Sequence, residues 1–249
     1  LANFQELSRE DLIEFHKSHY KKANLKPYLS GEIPPNAHKL LDELLGDWEQ
    51  NKPIVHKPFT DKTNQDKIHI AKEGALQSAI RIGRVCFNSH HKDYLELKYL
   101  SVVLGGYFGS RLMSNIREDK GLTYGIGAMC VQQEDSGFFA ISTEVKAEST
   151  QQALTEIYKE LKRLREDLIP EEELNLVKSY IMGQILSSAD GPFAQSTSLK
   201  NLHIYNLDFE FYTTYQNMLN KLNSNSLKDL ANKYLKEKDL CEVVVGNIS

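Results

Sequence analysis

Cysteine is scarce in this chain, and the scarcity removes several kinds of protein. Cys86, Cys130 and Cys241 are the three present. The number is odd, the spacings are wide and no Cys-x-x-Cys occurs, so neither a disulfide framework nor a zinc knuckle is indicated. All three lie in apolar, strand-like stretches, the usual setting of a buried structural thiol. So little cysteine suits a soluble cytoplasmic or periplasmic chain equally well. No apolar run reaches the roughly 18 residues that a membrane-spanning helix needs. No sign of charge dominates: 30 basic residues stand against 34 acidic ones, for a net charge of −4. That gives no electrostatic footprint for nucleic acid or an anionic membrane. The chain opens Leu-Ala-Asn, without Met and without a charged-then-apolar leader, and reads as an internal fragment or a processed chain.

What is present is an ordinary globular composition. Of 249 residues, 41% are apolar and 26% charged, enough for a sizeable core and consistent with one large domain or a domain plus a fragment. Residues 8–22 read as a helix, with Ser8 as cap, Glu10 and Asp11 in its first turn, and Leu12, Phe15 and His19 on one face. LKPYLSG (25–31) is strand-like, and Pro34-Pro35 opens a helix running to about Gln50. Residues 51–66, polar with two prolines, read as a linker. KIHIAKE and SAIRIGRVCFN then alternate across a Gly-containing turn, as an antiparallel strand pair does. Residues 90–120 have helical period, broken at Gly105-Gly106. LTYGIGAMCVQQ and GFFAISTEVKA make a second strand pair turning at Glu134-Asp135-Ser136. The remainder is mostly helical. Residues 149–167 carry Ala153, Ile157, Leu161 and Leu164 at helical spacing, and Pro170 followed by Glu171, Glu172 and Glu173 starts the next helix. Asp190-Gly191-Pro192 interrupts it, further helices cover about 208–221 and 225–237, and LCEVVVGNI closes the chain as a strand.

The two ends resemble each other. Residues 7–33 lie over 222–248 without a gap, matching Leu7, Leu12, Lys21, Leu25, Gly31 and Ile33 to Leu222, Leu227, Lys236, Leu240, Gly246 and Ile248. Each copy is a helix, a short turn, a strand and a glycine, so the chain is expected to hold the tail of one unit and the whole of the next. The expected division is a tail at 1–50, a linker at 51–66 and a complete unit at 67–249. An unpaired strand at 25–31 is expected to find a partner, on this domain or on a second copy as a homodimer.

Residues 102–128, VVLGGYFGSRLMSNIREDKGLTYGIGA, resemble a signature of the pitrilysin/insulinase family of zinc metallopeptidases, which includes the mitochondrial processing peptidase. The residues that carry the likeness are Gly105, Gly106, Ser110, Arg111, Leu112, Ile116, Arg117, Glu118, Gly121, Leu122 and Tyr124. FHKSHYKKANLKPYLSGEI near the start resembles the element that closes the family's first unit. The resemblance implies an α+β fold, a mainly antiparallel sheet with helices on one face. It also implies a catalytic unit in which His-x-x-Glu-His on a helix binds zinc.

That motif does not occur here. His16 and His19 are three apart and Tyr20 stands where a second ligand would be needed; His90 and His91 are adjacent; Leu41-Asp42 follows His38. His19 is expected to pack and His16 to face water. The resemblance therefore implies the non-catalytic half, with no metal or cofactor of its own, working with a zinc-bearing catalytic unit on a peptide substrate. That half contributes an arginine and a tyrosine seven residues apart, which Arg117 and Tyr124 match. A tyrosine hydroxyl can donate to the oxyanion of a tetrahedral intermediate, and a guanidinium holds peptide carbonyls with a fixed fork of donors. Gly105 and Gly106 are expected beside them as substrate-binding residues. The plainer alternative pairs Arg117 with Glu118 or Asp119 and leaves Tyr124 a half-buried strand aromatic; Arg111 then only braces the fold. A scaffold subunit of the same fold, with no part in proteolysis, is the second functional expectation.

Overall fold

The computed structural model describes residues 2–47 and 66–247, with no side-chain description at 2 and 3. The linker expected at 51–66 lies outside the described residues except for Asp66, as do the last residues of the helix expected to run to Gln50. The chain forms two compact units, Leu1–Lys57 with Ser188–Asn201, and Pro58–Ser187 with Leu202–Ser249.

In the first unit, α1 (Ala2–Glu6) precedes α2 (Arg9–His19), and α3 (Ala37–Leu45) follows. α2 begins with a reciprocal cap: Ser8 Oγ accepts from the Asp11 N–H at 3.2 Å and the Asp11 carboxylate accepts from the Ser8 N–H at 2.8 Å. A 3-10 turn at Lys22–Asn24 leads into extended chain. Residues 25–31 do not form the expected strand. They have no ladder partner among the described residues, and Pro27 has no N–H to give to one. Nor does His19 pack as expected: its exposed ring stacks on Phe15, with centroids 4.0 Å apart.

The second unit is built on one five-stranded sheet in the order β1-β5-β2-β4-β3. Its strands are β1 (Lys67–Ala71), β2 (Gln77–Cys86), β3 (Thr123–Gln132), β4 (Gly137–Lys146) and β5 (Cys241–Gly246). β1 runs parallel to β5, and every other pair is antiparallel. The second expected hairpin, β3 with β4, forms with its turn in place. The first does not, because β5 lies between β1 and β2. Local alternation and a glycine turn look the same whether two strands touch or are one strand apart, and the inserted partner comes from the far end of the chain. Gly246 ends β5 hard against Ser78, where a Cβ would stand 2.6 Å from the Ser78 Cα.

Helices cover one face of this sheet. α4 (Tyr94–Gly105), α5 (Thr150–Glu166), α6 (Glu171–Ser187), α8 (Glu210–Lys221) and α9 (Ser224–Tyr234) belong to it, and α7 (Gly191–Ile204) counts with the first unit as far as Asn201. Ile80, Ile82, Phe139, Ile141 and Val145 meet Leu97, Leu100, Val103, Ile157, Leu161 and Leu227 in one core. The alternate strand positions, among them Arg81, Met129 and Glu144, stay exposed. That is the period-two pattern of a sheet covered on one side.

The end repeat is visible in the backbone. A shift of 215 residues carries α2 onto α9 and the turn Lys22–Asn24 onto Glu237–Asp239. The caps correspond as well: Ser8 accepts from the Asp11 N–H and Asn223 from the Ser226 N–H. Gly31 and Gly246 both have positive φ, 104° and 156°. Burial does not correspond. Leu227 and Leu230 are 0% and 6% exposed, whereas Leu12 and Phe15 are 60% and 54% exposed.

Candidate functional site

The segment carrying Arg117 is not an α-helix. After α4 ends at Gly105, a turn through Tyr107, Phe108 and Gly109 leads to a π-helical run, Met113–Asp119. Such runs are rare and often found at functional sites. Ile116 is fully buried beneath it. Polar contacts fix its outer side. Arg111, just before the run, makes a two-pronged bond to Glu173 of α6 at 2.8 and 2.7 Å, so it braces the fold. The Asn115 amide donates to Glu160 at 2.7 Å and to Glu156 at 3.0 Å, both on α5. Glu160 is buried and also accepts from Arg163 at 3.1 Å. The Asn115 amide holds the Glu156 carboxyl below the usual carboxylate range; partial burial opposes this, and the Lys120 and Lys159 charges add to the lowering.

Gly121 reverses the chain at the end of the run. Its φ is 62°, and a Cβ there would meet nothing within 4 Å, so the glycine answers a conformational need and not a spatial one. The Leu122 N–H donates back to Ile116 O at 3.0 Å. β3 then opens at the sheet edge with an irregularity between Thr123 and Ile126. Thr123 Oγ1 accepts the Gly125 N–H at 3.2 Å, and the Thr143 hydroxyl donates to Gly125 O at 2.9 Å. A bulge of this kind re-aims a side chain, and here Tyr124 projects into solvent, 92% exposed.

Arg117 and Tyr124 are thereby brought together. The Arg117 guanidinium carbon lies over the Tyr124 ring, 5.3 Å from its centroid. It also lies over Phe108, at 4.7 Å. Among the described residues no hydrogen bond or ion pair engages the guanidinium or the Tyr124 hydroxyl, so the plainer pairing with Glu118 or Asp119 is not formed. Five N–H donors are left for something else. Gly105 is not beside them as a surface residue. It is buried, and a Cβ there would stand 2.3 Å from the Ala128 nitrogen, so Gly105 serves the close packing of α4 on β3. Gly106 is exposed and caps α4, its N–H donating to Val102 O at 2.9 Å.

A cleft of about 600 Å³ opens beside Arg111, Asn115, Glu160 and Glu173. It holds neither Arg117 nor Tyr124. His16 stacks on Tyr20, His90 bonds Tyr205 O at 2.9 Å, and His91 stacks on Phe87. Among the described residues no three His, Cys, Asp or Glu side chains stand close enough to hold a metal.

Phe108 and the bulge were not foreseen in the sequence. The first had a signal, an aromatic placed between glycines in GGYFGS where a turn is usually polar. The second had little, since Tyr124-Gly125 reads as continuing alternation.

Known proteins bear on this site. The family model described as "Peptidase M16 inactive domain" matches residues 6–181. A Bacillus subtilis protein named "Uncharacterized zinc protease YmxG" is 26% identical over 237 residues, covering 92% of this chain and 54% of its own. The chain spans about half the length of the curated relatives it matches. Among solved structures, a peptidase M16 inactive domain from Pseudomonas fluorescens aligns with a TM-score of 0.77 at 20% identity, over 97% of this chain and 58% of that one. A chain of complex III2 from Candida albicans aligns at 0.73 and 14% identity, over 98% of this chain and 60% of that one. At these identities the structures speak for the fold, which is the α+β arrangement expected from the sequence. Taken with the glycine-to-tyrosine stretch of residues 105–124, the match across residues 6–181 means that the chain belongs to the inactive-domain family of the M16 metallopeptidases.

Proposed function

We propose that this chain is the non-catalytic half of a zinc-dependent metalloendopeptidase. It closes the chamber opposite a zinc-bearing unit, binds extended peptide and lends Arg117 and Tyr124 to a composite site. Zinc belongs to the other unit, in the same polypeptide or in a partner chain. The observation that carries the reading is the unengaged guanidinium of Arg117, held over the exposed Tyr124 at a sheet edge. Glu118 and Asp119 are next in sequence, and neither engages the guanidinium. Left free, its planar fork suits peptide carbonyls. The Tyr124 hydroxyl, equally free, can donate to the oxyanion as the scissile carbonyl becomes tetrahedral. The exposed Leu12 and Phe15 support reading residues 1–50 as the tail of a preceding unit, since their counterparts Leu227 and Leu230 are buried. Residues 25–31 would then pair outside this chain's own sheet, in that unit or in a second copy.

Arg117→Lys tests the reading, because lysine keeps the charge and loses the fork. With the zinc-bearing unit present, kcat/KM for a quenched fluorogenic peptide should fall about tenfold or more. An unchanged value would mean that charge alone, or nothing, is used there. The second reading is a scaffold subunit, favoured by the likeness in fold to a chain of complex III2 from Candida albicans. A scaffold does not need an unengaged arginine and tyrosine kept together.

A further inference from the structure

Phe108 has no part in the family signature residues quoted above, and the Arg/Tyr reading does not use it. It sits in the turn between α4 and the π-helical run, between Gly106 and Gly109, and is 61% exposed. An exposed phenylalanine in a turn forgoes the burial that normally justifies the residue. Its ring is nonetheless positioned, since the Arg117 guanidinium carbon lies over it at 4.7 Å, closer than over Tyr124 at 5.3 Å. The cation is thus held by two aromatic faces from two different elements, one N-terminal and one C-terminal to the run that carries it. Attraction between a cation and a ring face is electrostatic and leaves the N–H groups unspent. The N–H edge of the fork remains the part of Arg117 that a ligand can use. The portion of the Phe108 ring not against Arg117 faces solvent.

We propose that Phe108 is the third member of the peptide site. It positions the Arg117 fork, and its exposed ring receives an apolar side chain of the bound peptide next to the carbonyl that Arg117 holds. The substrate class is therefore an extended peptide with an apolar residue, not an acidic or small polar one, at that position. This rests on the reading of Arg117 as a peptide-binding residue, and the test separates the two.

The probe is a set of fluorescein-labelled decapeptides, identical except for one position scanned along the chain as Leu, Phe, Ser or Glu, titrated against the full chain by fluorescence anisotropy. Wild type should prefer Leu or Phe over Ser and Glu at one position by about fivefold or more. Phe108→Ala should erase that preference, and Arg117→Ala should abolish binding of every peptide. Loss with Arg117→Ala, but an unchanged preference with Phe108→Ala, overturns the proposal and leaves the Arg117 reading standing. Binding indifferent to Arg117→Ala overturns both. The positioning role has its own readout, which needs no ligand. In ¹H–¹⁵N spectra of the free chain the Arg117 Nε–Hε signal should carry a ring-current shift from both rings, and Phe108→Leu should remove the Phe108 part, moving that signal while the other arginine side-chain signals stay in place. An Arg117 signal that does not move with Phe108→Leu shows that the ring does not hold the fork, and overturns the proposal whatever the peptides do.

Discussion

Tyr124→Phe should slow peptide cleavage by the assembled enzyme about 100- to 1,000-fold while leaving the chain as stable as before. The two halves of that expectation have different origins. The rate follows from chemistry: a donor aimed at a developing oxyanion is worth roughly two to three orders of magnitude when removed. The stability follows from position. Tyr124 is 92% exposed and its hydroxyl has no partner among the described residues, so removing one oxygen should shift stability by less than about 0.5 kcal/mol. The ring is retained, so the contact with Arg117 survives and the loss should fall on kcat more than on KM. Steady-state kinetics and a thermal melt of the same preparation measure both. A rate unchanged by the substitution would favour the scaffold reading.

Gly105→Ala should have the largest effect on folding. The added methyl would stand 2.3 Å from the Ala128 nitrogen and 2.9 Å from the Gly127 carbonyl carbon. Both are backbone atoms of β3, so no side chain can rotate away, and α4 must lift from the sheet. Overpacking of this kind costs about 1–3 kcal/mol and sometimes more, or roughly 2–12 °C in Tm for a domain of this size. Gly183→Ala is the control. That glycine lies in the interior of α6 with nothing within 4 Å of its virtual Cβ, and alanine there should be neutral or stabilising by about 0.5–1 kcal/mol. If both variants melted with wild type, the packing account of the Gly105 contact would be wrong. Because the displaced end of α4 leads directly into the turn holding Phe108, Gly105→Ala should also weaken the site.

Much of this was legible from residues alone. Ala153, Ile157, Leu161 and Leu164 share one helical face by their spacing, and all four are buried. The Glu-rich start of α6 and the turn before β4 were placed to within a residue or two. The repeat between the ends, traced through leucines, lysine and glycine, holds in the backbone down to its caps. What differs is the strand pairing. Residues 25–31 have a strand's composition but no ladder among the described residues, because a strand is made by its neighbours. β1 and β2 have a hairpin's local pattern but take β5 between them, a pairing that depends on residues about 170 positions away. At the site, the type and spacing of Arg117 and Tyr124 were readable, and their proximity depended on a π-helical run, a positive-φ glycine and a bulge. Gly105 is expected to face substrate because the family resemblance places it there, whereas its missing side chain is what lets a helix touch a strand.

The measurement closest to the central claim is zinc content together with cleavage of a quenched fluorogenic peptide, made on this purified chain alone and again with a zinc-bearing family unit added. The account predicts no stoichiometric zinc and no cleavage by the chain alone, and cleavage that depends on Arg117 and Tyr124 once the zinc-bearing unit is present. Stoichiometric zinc with cleavage by the isolated chain would contradict it.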